Sequence, residues 1–353
     1  MRIERTKVKN IKYVDFYQFL WQELFAYSNR YSCFTQLKRR YPQMSSPMAE
    51  NKSKDIGYAL KLSKDYFDSA RSSSMLSAPT LIYYGILNLV FALIIFKTND
   101  KTLDNFARSH GLKLVSLPKN DADKKFFQFG IKVEETGTFP ELLKIGPHDR
   151  TKISCTTRGI PSAYIGCSYI SEEKPIVKTD YQLFELLSEV PEVWSEILNC
   201  QGITTKIYPG EMELLGDGRK ILKFCIYNQH ITRQKIEENF GILDHYTYHS
   251  STLDYIFYQS QDSQAPYPVL KQNYCNESFF VSGTSTPLPD FVLYYLVFFI
   301  FGSIARYRAT TWGDLVTNPK SRFLNMINIL CDASIIKVPL LALSEFEESY
   351  INY

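Results

Sequence analysis

Two strongly apolar runs, placed almost two hundred residues apart, constrain this chain more than anything else in it. One is Leu81 to Phe96 (LIYYGILNLVFALIIF), and the other is Phe291 to Ala305 (FVLYYLVFFIFGSIA). A membrane-spanning helix needs about 20 apolar residues, and both runs fall short of that. Both also carry paired tyrosines away from their ends, and the first holds Asn88. They are therefore expected to be core helices with no membrane contact. Helices this apolar need covering on all sides, and packing them together in one bundle is the economical solution.

Flanking signals agree with helix. Pro79 stands where a first helical turn tolerates proline, and opens the run to Phe96. Asp15 followed by Gln18 resembles a capping box. Tyr17, Leu20, Trp21, Leu24 and Tyr27 then recur at helical spacing. Ala59, Leu62, Tyr66 and Ala70 read as one buried helical face. Near the other end, Thr286 to Asp290 marks a return to helix. Further helices are expected at about 319–332 and 339–350, with Pro339 suiting the second start.

Between about 112 and 285 the texture changes. Gly and Pro become frequent, and short β-branched or aromatic runs alternate with turns. Expected strands are Gly130 to Val133, Lys152 to Thr156, Tyr164 to Ile170, Ile203 to Tyr208, Ile221 to Tyr227, Tyr255 to Gln259 and Ser278 to Val281. A helical insert capped by Asp180 carries Leu183, Leu187 and Val190, and Pro191 restarts it towards Trp194. The fold class is thus α+β. Residues 1–111 form an N-terminal helical region and 112–285 a β-rich middle lobe with a helical insert. Residues 286–353 are C-terminal helices packing back on the first region.

Charge and cysteine usage limit the function classes. Forty Lys and Arg against 37 Asp and Glu leave a formal charge of +3, so any basic site must be local. Seven Cys at wide spacings contain no CxxC pair, which argues against a thiolate zinc site. The first residues, Met1 to Arg5, are charged with no apolar run behind them, so no signal peptide is expected. A reducing cytoplasm is the expected compartment. There is no GxxxxGK[ST] loop, GxGxxG turn or GxSxG elbow, which removes support for NTPase, dinucleotide and hydrolase readings. No metal and no cofactor is expected.

Each candidate polar group has a plain reading beside its functional one. Arg306 and Arg308 end an apolar helix, where cations cap carbonyls; alternatively they grip an anion, with Trp312 as a stacking face. His110 precedes a turn glycine and either bonds a loop carbonyl or marks a cleft between helical and β regions. His148-Asp149-Arg150 reads as exposed loop polarity, or as an acid-base site. His245 and His249, after Asp244, share a side in helix or strand, with no third metal ligand in view. Glu211, Glu213, Asp217 and Lys220 read as a hairpin tip before a metal-nuclease site. Tyr83 and Tyr84 either pack with their hydroxyls satisfied or bond across a groove, and Gly85 beside them lets another helix approach. Basic clusters stand at Lys38-Arg39-Arg40, Lys124-Lys125 and Arg219-Lys220.

Three segments together resemble the YaaC-like family of bacterial proteins. They are Ser77-Ala78-Pro79-Thr80-Leu81-Ile82-Tyr83-Tyr84-Gly85-Ile86-Leu87-Asn88-Leu89, then Ser109-His110-Gly111-Leu112, then Ser303-Ile304-Ala305-Arg306-Tyr307 with Trp312. Members show a proline-led YYGxLNL helix, an HGL step and a SxxRYxPxxW-like segment, and here Ala309 stands at the proline position. That resemblance implies architecture more than activity. Tyr83-Tyr84-Gly85 with Ala92-Leu93 is also similar, more faintly, to HEPN-type helical domains. Active HEPN ribonucleases carry an Arg and a His on a late helix, the His serving acid-base chemistry; here Arg306 to Trp312 holds no His. What these resemblances imply is a binding component for RNA, a nucleotide or a protein in bacterial stress or phage defence, with Arg306, Arg308, Trp312, His110, Tyr83 and Tyr84 at the site. The alternatives are a HEPN-like nuclease drawing on His110, His148 and Arg306, and a structural subunit of a homodimer or hetero-oligomer.

Overall fold

The computed structural model describes residues 2–10, 15–106, 109–115, 126–157, 160–170, 179–200, 205–216, 220–225, 233–240, 245–249, 254–259, 269–282, 287–321 and 323–352. The helical layer opens with α1 (Phe16–Ala26), α2 (Arg30–Arg40), α3 (Ser46–Ser72) and α4 (Ala78–Lys97). Local chemistry sets their starts. The Asp15 carboxylate accepts the Gln18 N–H at 3.1 Å, and Asn29 accepts the N–H groups of Tyr31 and Ser32. Pro47 and Pro79 occupy the first turns of α3 and α4.

The two apolar runs do meet. The second is α9 (Asp290–Tyr307), buried from Asp290 through Ile304, and it packs along α4. A Cβ placed on Gly302 of α9 would sit 3.3 Å from the Cβ of Tyr83, so the helices touch almost backbone to backbone. On its other side α4 receives α3. A Cβ on Gly85 would lie 2.8 Å from the Phe67 ring, and the Ser63 hydroxyl donates to the Gly85 carbonyl at 2.7 Å. The face of α3 that does this is Ile56, Leu60, Ser63 and Phe67 with Ala59 and Ala70. Leu62 and Tyr66, expected on that face, point outward instead, because the buried stripe runs one position further round.

After α10 (Ala309–Thr317), one helix, α11 (Leu324–Glu347), replaces the two expected. Pro339 lies inside it rather than at a start. Val338, Ala342, Leu343 and Phe346 around it are buried against α4 and α1, and that burial outweighs one lost backbone bond. Glu348, in the left-handed region at φ 49°, ends the helix. Three helices, α4, α9 and α11, are long and apolar enough to cross a membrane by length and composition, but 78%, 83% and 67% of their apolar windows are buried inside the protein.

Among the described residues two sheets complete the fold. The smaller joins β2 (Leu112–Val115), β3 (Gly130–Val133) and β6 (Asp180–Gln182), all antiparallel. Between them lie α5 (Thr138–Lys144), and after them α6 (Leu183–Leu187) and α7 (Trp194–Leu198). Gln182, not Asp180, caps the insert. Phe126, Ile131, Phe139, Tyr181, Leu186 and Val190 from this part share the helical core.

The larger sheet runs β13 (Ser349–Asn352), β1 (Arg2–Asn10), β5 (Ile160–Ile170), β4 (Arg150–Thr157), β7 (Ile207–Leu215), β8 (Lys220–Cys225), β10 (Asp254–Gln259) and β9 (His245–His249). A side hairpin, β11 (Val269–Gln272) with β12 (Ser278–Val281), joins β7, and α8 (Arg233–Phe240) lies across. Its own smaller core holds Ile153, Met212, Phe224, Ile236, Phe279 and Phe280. The first and last described strands, β1 and β13, pair in parallel, with Lys7 opposite Ser349.

Buried charge links the layers. Asp290 at the start of α9 lies 2.9 Å from the Nζ of Lys271 and 3.2 Å from that of Lys337, and Glu192 stands 3.8 Å from Lys337. Asp149 accepts the Asp290 backbone N–H at 2.8 Å. Burial would raise Asp290, but the two lysines outweigh it and hold its carboxyl below the usual range. Asp149 goes up, through burial first and the Asp290 charge second. Glu192 is likewise raised by burial. Three carboxyls face two lysines, so the cluster is neutral when one carboxyl keeps its proton.

A second buried group gives a pH prediction. Glu345, 3% exposed, takes both Lys97 and Arg150 as partners. Burial alone would raise its carboxyl, but the two cations hold it down at about 2. A depressed carboxyl contributes stability above its unfolded value, ordinarily near 4.5, and that contribution is lost as pH falls through about 2. Equilibrium urea melts between those pH values should show stability declining with acid. Glu345→Gln should flatten that slope, and an unchanged slope would contradict the assignment.

Candidate functional site

Four residues singled out from the sequence come together where α4, α9 and the HGL turn meet. Tyr83 and Tyr84 sit on adjacent positions of α4. The Tyr83 ring is buried in the seam with α9, 5.8 Å from Tyr295 and 5.6 Å from Phe299. Its hydroxyl lies 2.8 Å from Nδ1 of His110. Tyr84 turns towards solvent and stacks on Tyr66 of α3 at 5.5 Å and 27°.

Arg306, in the last turn of α9, closes the group. Its Nε donates to the Gly302 carbonyl at 3.0 Å, which is the capping role expected of a cation there. Its NH1 donates to the Tyr84 hydroxyl at 2.5 Å. The guanidinium lies 5.3 Å from the Tyr84 ring, 5.7 Å from Tyr83 and 5.1 Å from Tyr307, within cation–π range of all three. These two bonds use two of its five N–H donors. Tyr307, 73% exposed, stands at the rim.

His110 is fixed from behind. Gly111 adopts φ +72°, and Gly137 φ +126°. A Cβ on Gly137 would lie 2.3 Å from the Gly111 nitrogen, so neither turn tolerates a side chain. The first N–H groups of α5 then bond back: Thr138 donates to the Ser109 carbonyl at 3.1 Å and Phe139 to that of His110 at 3.0 Å. The imidazole is lowered from its ordinary value, first by burial and then by the Arg306 charge, which keeps it neutral at pH 7. Burial pushes the Tyr83 phenol up, so it stays protonated. When that phenol donates to Nδ1, the ring proton sits on Nε2, and the site offers a neutral donor beside a fixed cation.

The other candidates go elsewhere. Trp312 is 1% exposed; its indole N–H donates to the Met75 carbonyl at 3.0 Å and its ring packs on Phe301. It is a core residue rather than an exposed stacking face, because α10 folds it back under the bundle. Arg308 bridges α9 and α10, where its carbonyl accepts the Trp312 N–H. His148 stands apart from Arg306, its backbone N–H held by Glu345 at 3.0 Å. The segment His148-Asp149-Arg150 is not exposed loop polarity: Asp149 turns inward to Asp290 and Arg150 to Glu345, so no His148–Asp149 pair forms.

His245 and His249 fall on β9, in the extended form that their surroundings predict. Glu211 and Glu213 lie on β7 and Lys220 opens β8, a hairpin as expected, with Lys220 buried. Asp217, Arg219, Asp244, Lys124 and Lys125 lie outside the described residues. Among the described residues no group of three or more His, Cys, Asp or Glu could hold a metal. In the α2 cluster Lys38 donates to the Met44 carbonyl, while Arg40 pairs with Glu348 at 2.8 Å.

Tyr66 and Tyr307 are not among the site residues expected from the sequence. Tyr66 carried a signal: Tyr58, Leu62 and Tyr66 repeat at i, i+4, a row too far round α3 to be buried with Phe67. Tyr307 follows Arg306 directly and gave none.

The family model described as YaaC-like Protein matches residues 25–346, a span holding all three motifs. No curated protein matches, and no solved structure matches.

Proposed function

The chain belongs to the YaaC-like protein family, and from that premise we propose that it binds a nucleotide unit, free or within single-stranded RNA, at the Tyr66–Tyr84–Arg306–His110 surface. The observation that carries this reading is the Arg306 guanidinium, set among three tyrosine rings with donors to spare, beside a neutral histidine. A phosphate takes the remaining Arg306 N–H groups. A base takes an aromatic face, and base–aromatic stacking contributes about 1–3 kcal/mol per base. Tyr307 lies against the cation and Tyr66 stacks on Tyr84, and exposed Tyr58 and Leu62 continue the row along α3. With a whole-chain charge of only +3, stacking rather than bulk electrostatics supplies most of the affinity.

Fluorescence anisotropy of a labelled single-stranded RNA oligonucleotide tests this. Arg306→Ala should weaken binding at least about tenfold, equivalent to about 1.4 kcal/mol. Tyr84→Ala should do the same, with far-UV circular dichroism unchanged. Equal affinity in the folded Arg306→Ala protein would contradict the reading.

One observation favours a second reading, cleavage of the bound RNA. A neutral His110 beside Arg306 pairs a proton-transfer group with a phosphate grip, the two roles a ribonuclease of the HEPN type needs. Here they come from the HGL turn and α9 rather than from one helix. Under that reading His110→Ala abolishes cleavage even at RNA concentrations that saturate the variant; cleavage by the saturated variant refutes it. The setting in bacterial stress or phage defence rests on the likeness of the Tyr83-Tyr84-Gly85 step to HEPN-type domains.

A further inference from the structure

A cleft of about 760 Å³ opens at the other end of α4, among α2, α5 and the β1 side of the large sheet. Tyr84 and Lys97 are thirteen residues apart on α4, about 20 Å along its axis, so the cleft is separate from the Arg306 surface. Among the described residues six basic side chains line it: Arg5 on β1, Arg40 ending α2, Lys97 ending α4, Lys101 after it, Lys144 ending α5 and Arg150 opening β4. Three carboxylates share the lining, Asp100, Glu141 and Glu348. The described lining thus carries a surplus of three positive charges. Counting Glu345 behind the wall still leaves two.

The deepest part is built rather than incidental. Lys97 and Arg150, 8% and 6% exposed, are held on the single carboxylate of Glu345. Two cations on one carboxylate leave one positive charge uncompensated where water is largely excluded, and such a charge calls for an anion. The Arg150 Nε is buried with no hydrogen-bond partner among the described residues. A guanidinium donor in that position is costly to leave unmade and matches a phosphate oxygen. The more exposed Arg40 and Lys144 stand at the mouth, each on one carboxylate: Arg40 on Glu348, and Lys144 on Glu141 at 2.7 Å. Ile145 is the one aliphatic side chain among the described lining residues. The volume suits a metabolite, and the lining suits one that is mostly charge.

We infer that this cleft binds a small polyphosphorylated molecule, its phosphate chain running from the Lys97–Arg150 floor to Arg40 and Lys144 at the mouth. A single phosphate would engage only part of that row. Binding at this cleft is independent of Arg306.

Isothermal titration of the full chain with inorganic tripolyphosphate tests it, at about 0.15 M ionic strength with EDTA present. Tripolyphosphate should bind at least about tenfold more tightly than orthophosphate and raise the melting temperature. An Arg40→Ala, Lys144→Ala double variant should lose at least about tenfold in affinity while its unliganded melting temperature stays that of the parent. Arg306→Ala should bind tripolyphosphate as the parent does. In the Arg306→Ala protein, where the other surface is disabled, ATP binding more tightly than tripolyphosphate would identify a nucleotide as the carrier of the phosphates, and equal binding the phosphate chain alone. No heat and no melting shift at millimolar tripolyphosphate would overturn the inference. Unchanged affinity in the folded double variant, or loss in Arg306→Ala, would do so equally.

Discussion

Replacing Asp290 by alanine is expected to cost about 3–5 kcal/mol of folding stability, the range for removing one partner from a buried ion pair. Asp290 is the carboxylate that Lys271 and Lys337 share. Lys271 comes from the side hairpin of the large sheet, Lys337 from α11, and Asp290 itself begins α9. Without the carboxylate, two ammonium groups remain in a site that excludes water. Glu192 and Asp149 would then have to give up their raised pKa values to compensate. The Lys271 and Lys337 Nζ atoms also hold the Leu288 and Gln272 carbonyls, so the damage reaches the joint between the layers. Urea denaturation followed by circular dichroism measures this. A loss below about 1 kcal/mol would show that the lysines are solvated in the folded protein, as exposed pairs are.

A Gly137→Ala protein should lose about 2–4 kcal/mol, from a strained positive φ together with a clash against rigid backbone. The new Cβ would press on Gly111, whose own conformation fixes His110. The effect should therefore reach the site. With the turn displaced, the His110–Tyr83 bond breaks and the imidazole moves out of its half-buried position. Its pKa should rise back towards the ordinary histidine value, which proton NMR of the ring reads directly. A destabilised protein whose His110 titrates as in the parent would mean that the two turns are not coupled.

Much of the helical part was legible because apolarity leaves few choices. Runs such as Leu81 to Phe96 have to be covered, and two of them in one chain cover each other. The YYG, HGL and RY segments pointed to the family, and to Tyr83, His110 and Arg306 one by one. Their meeting was not legible: Tyr83 and His110 are 27 positions apart, and Tyr84 and Arg306 are 222 apart. Local pattern contains no term for that distance.

Other features were hidden for different reasons. Strand β1 alternates charge with charge along Arg2 to Asn10, so it carries no apolar period; its partners β5 and β13 make it a strand. Pro339 signals a helix start, yet the burial of α11 on both sides of it prevails. Trp312 reads as a site aromatic beside two arginines, and only the turn into α10 sends it inward. The basic cleft draws single cations from six places in the chain, so no cluster in the sequence announces it. The Lys38-Arg39-Arg40 run, which does look like a patch, lends it Arg40 alone.

The most direct test of the binding surface is ultraviolet cross-linking of single-stranded RNA to the full chain, with the cross-linked peptides identified by mass spectrometry. Adducts are expected on Tyr66, Tyr84 or Tyr307, lost together in Arg306→Ala. Adducts confined to the large sheet or to the cleft around Lys144, or no adduct at saturating RNA, would contradict that expectation.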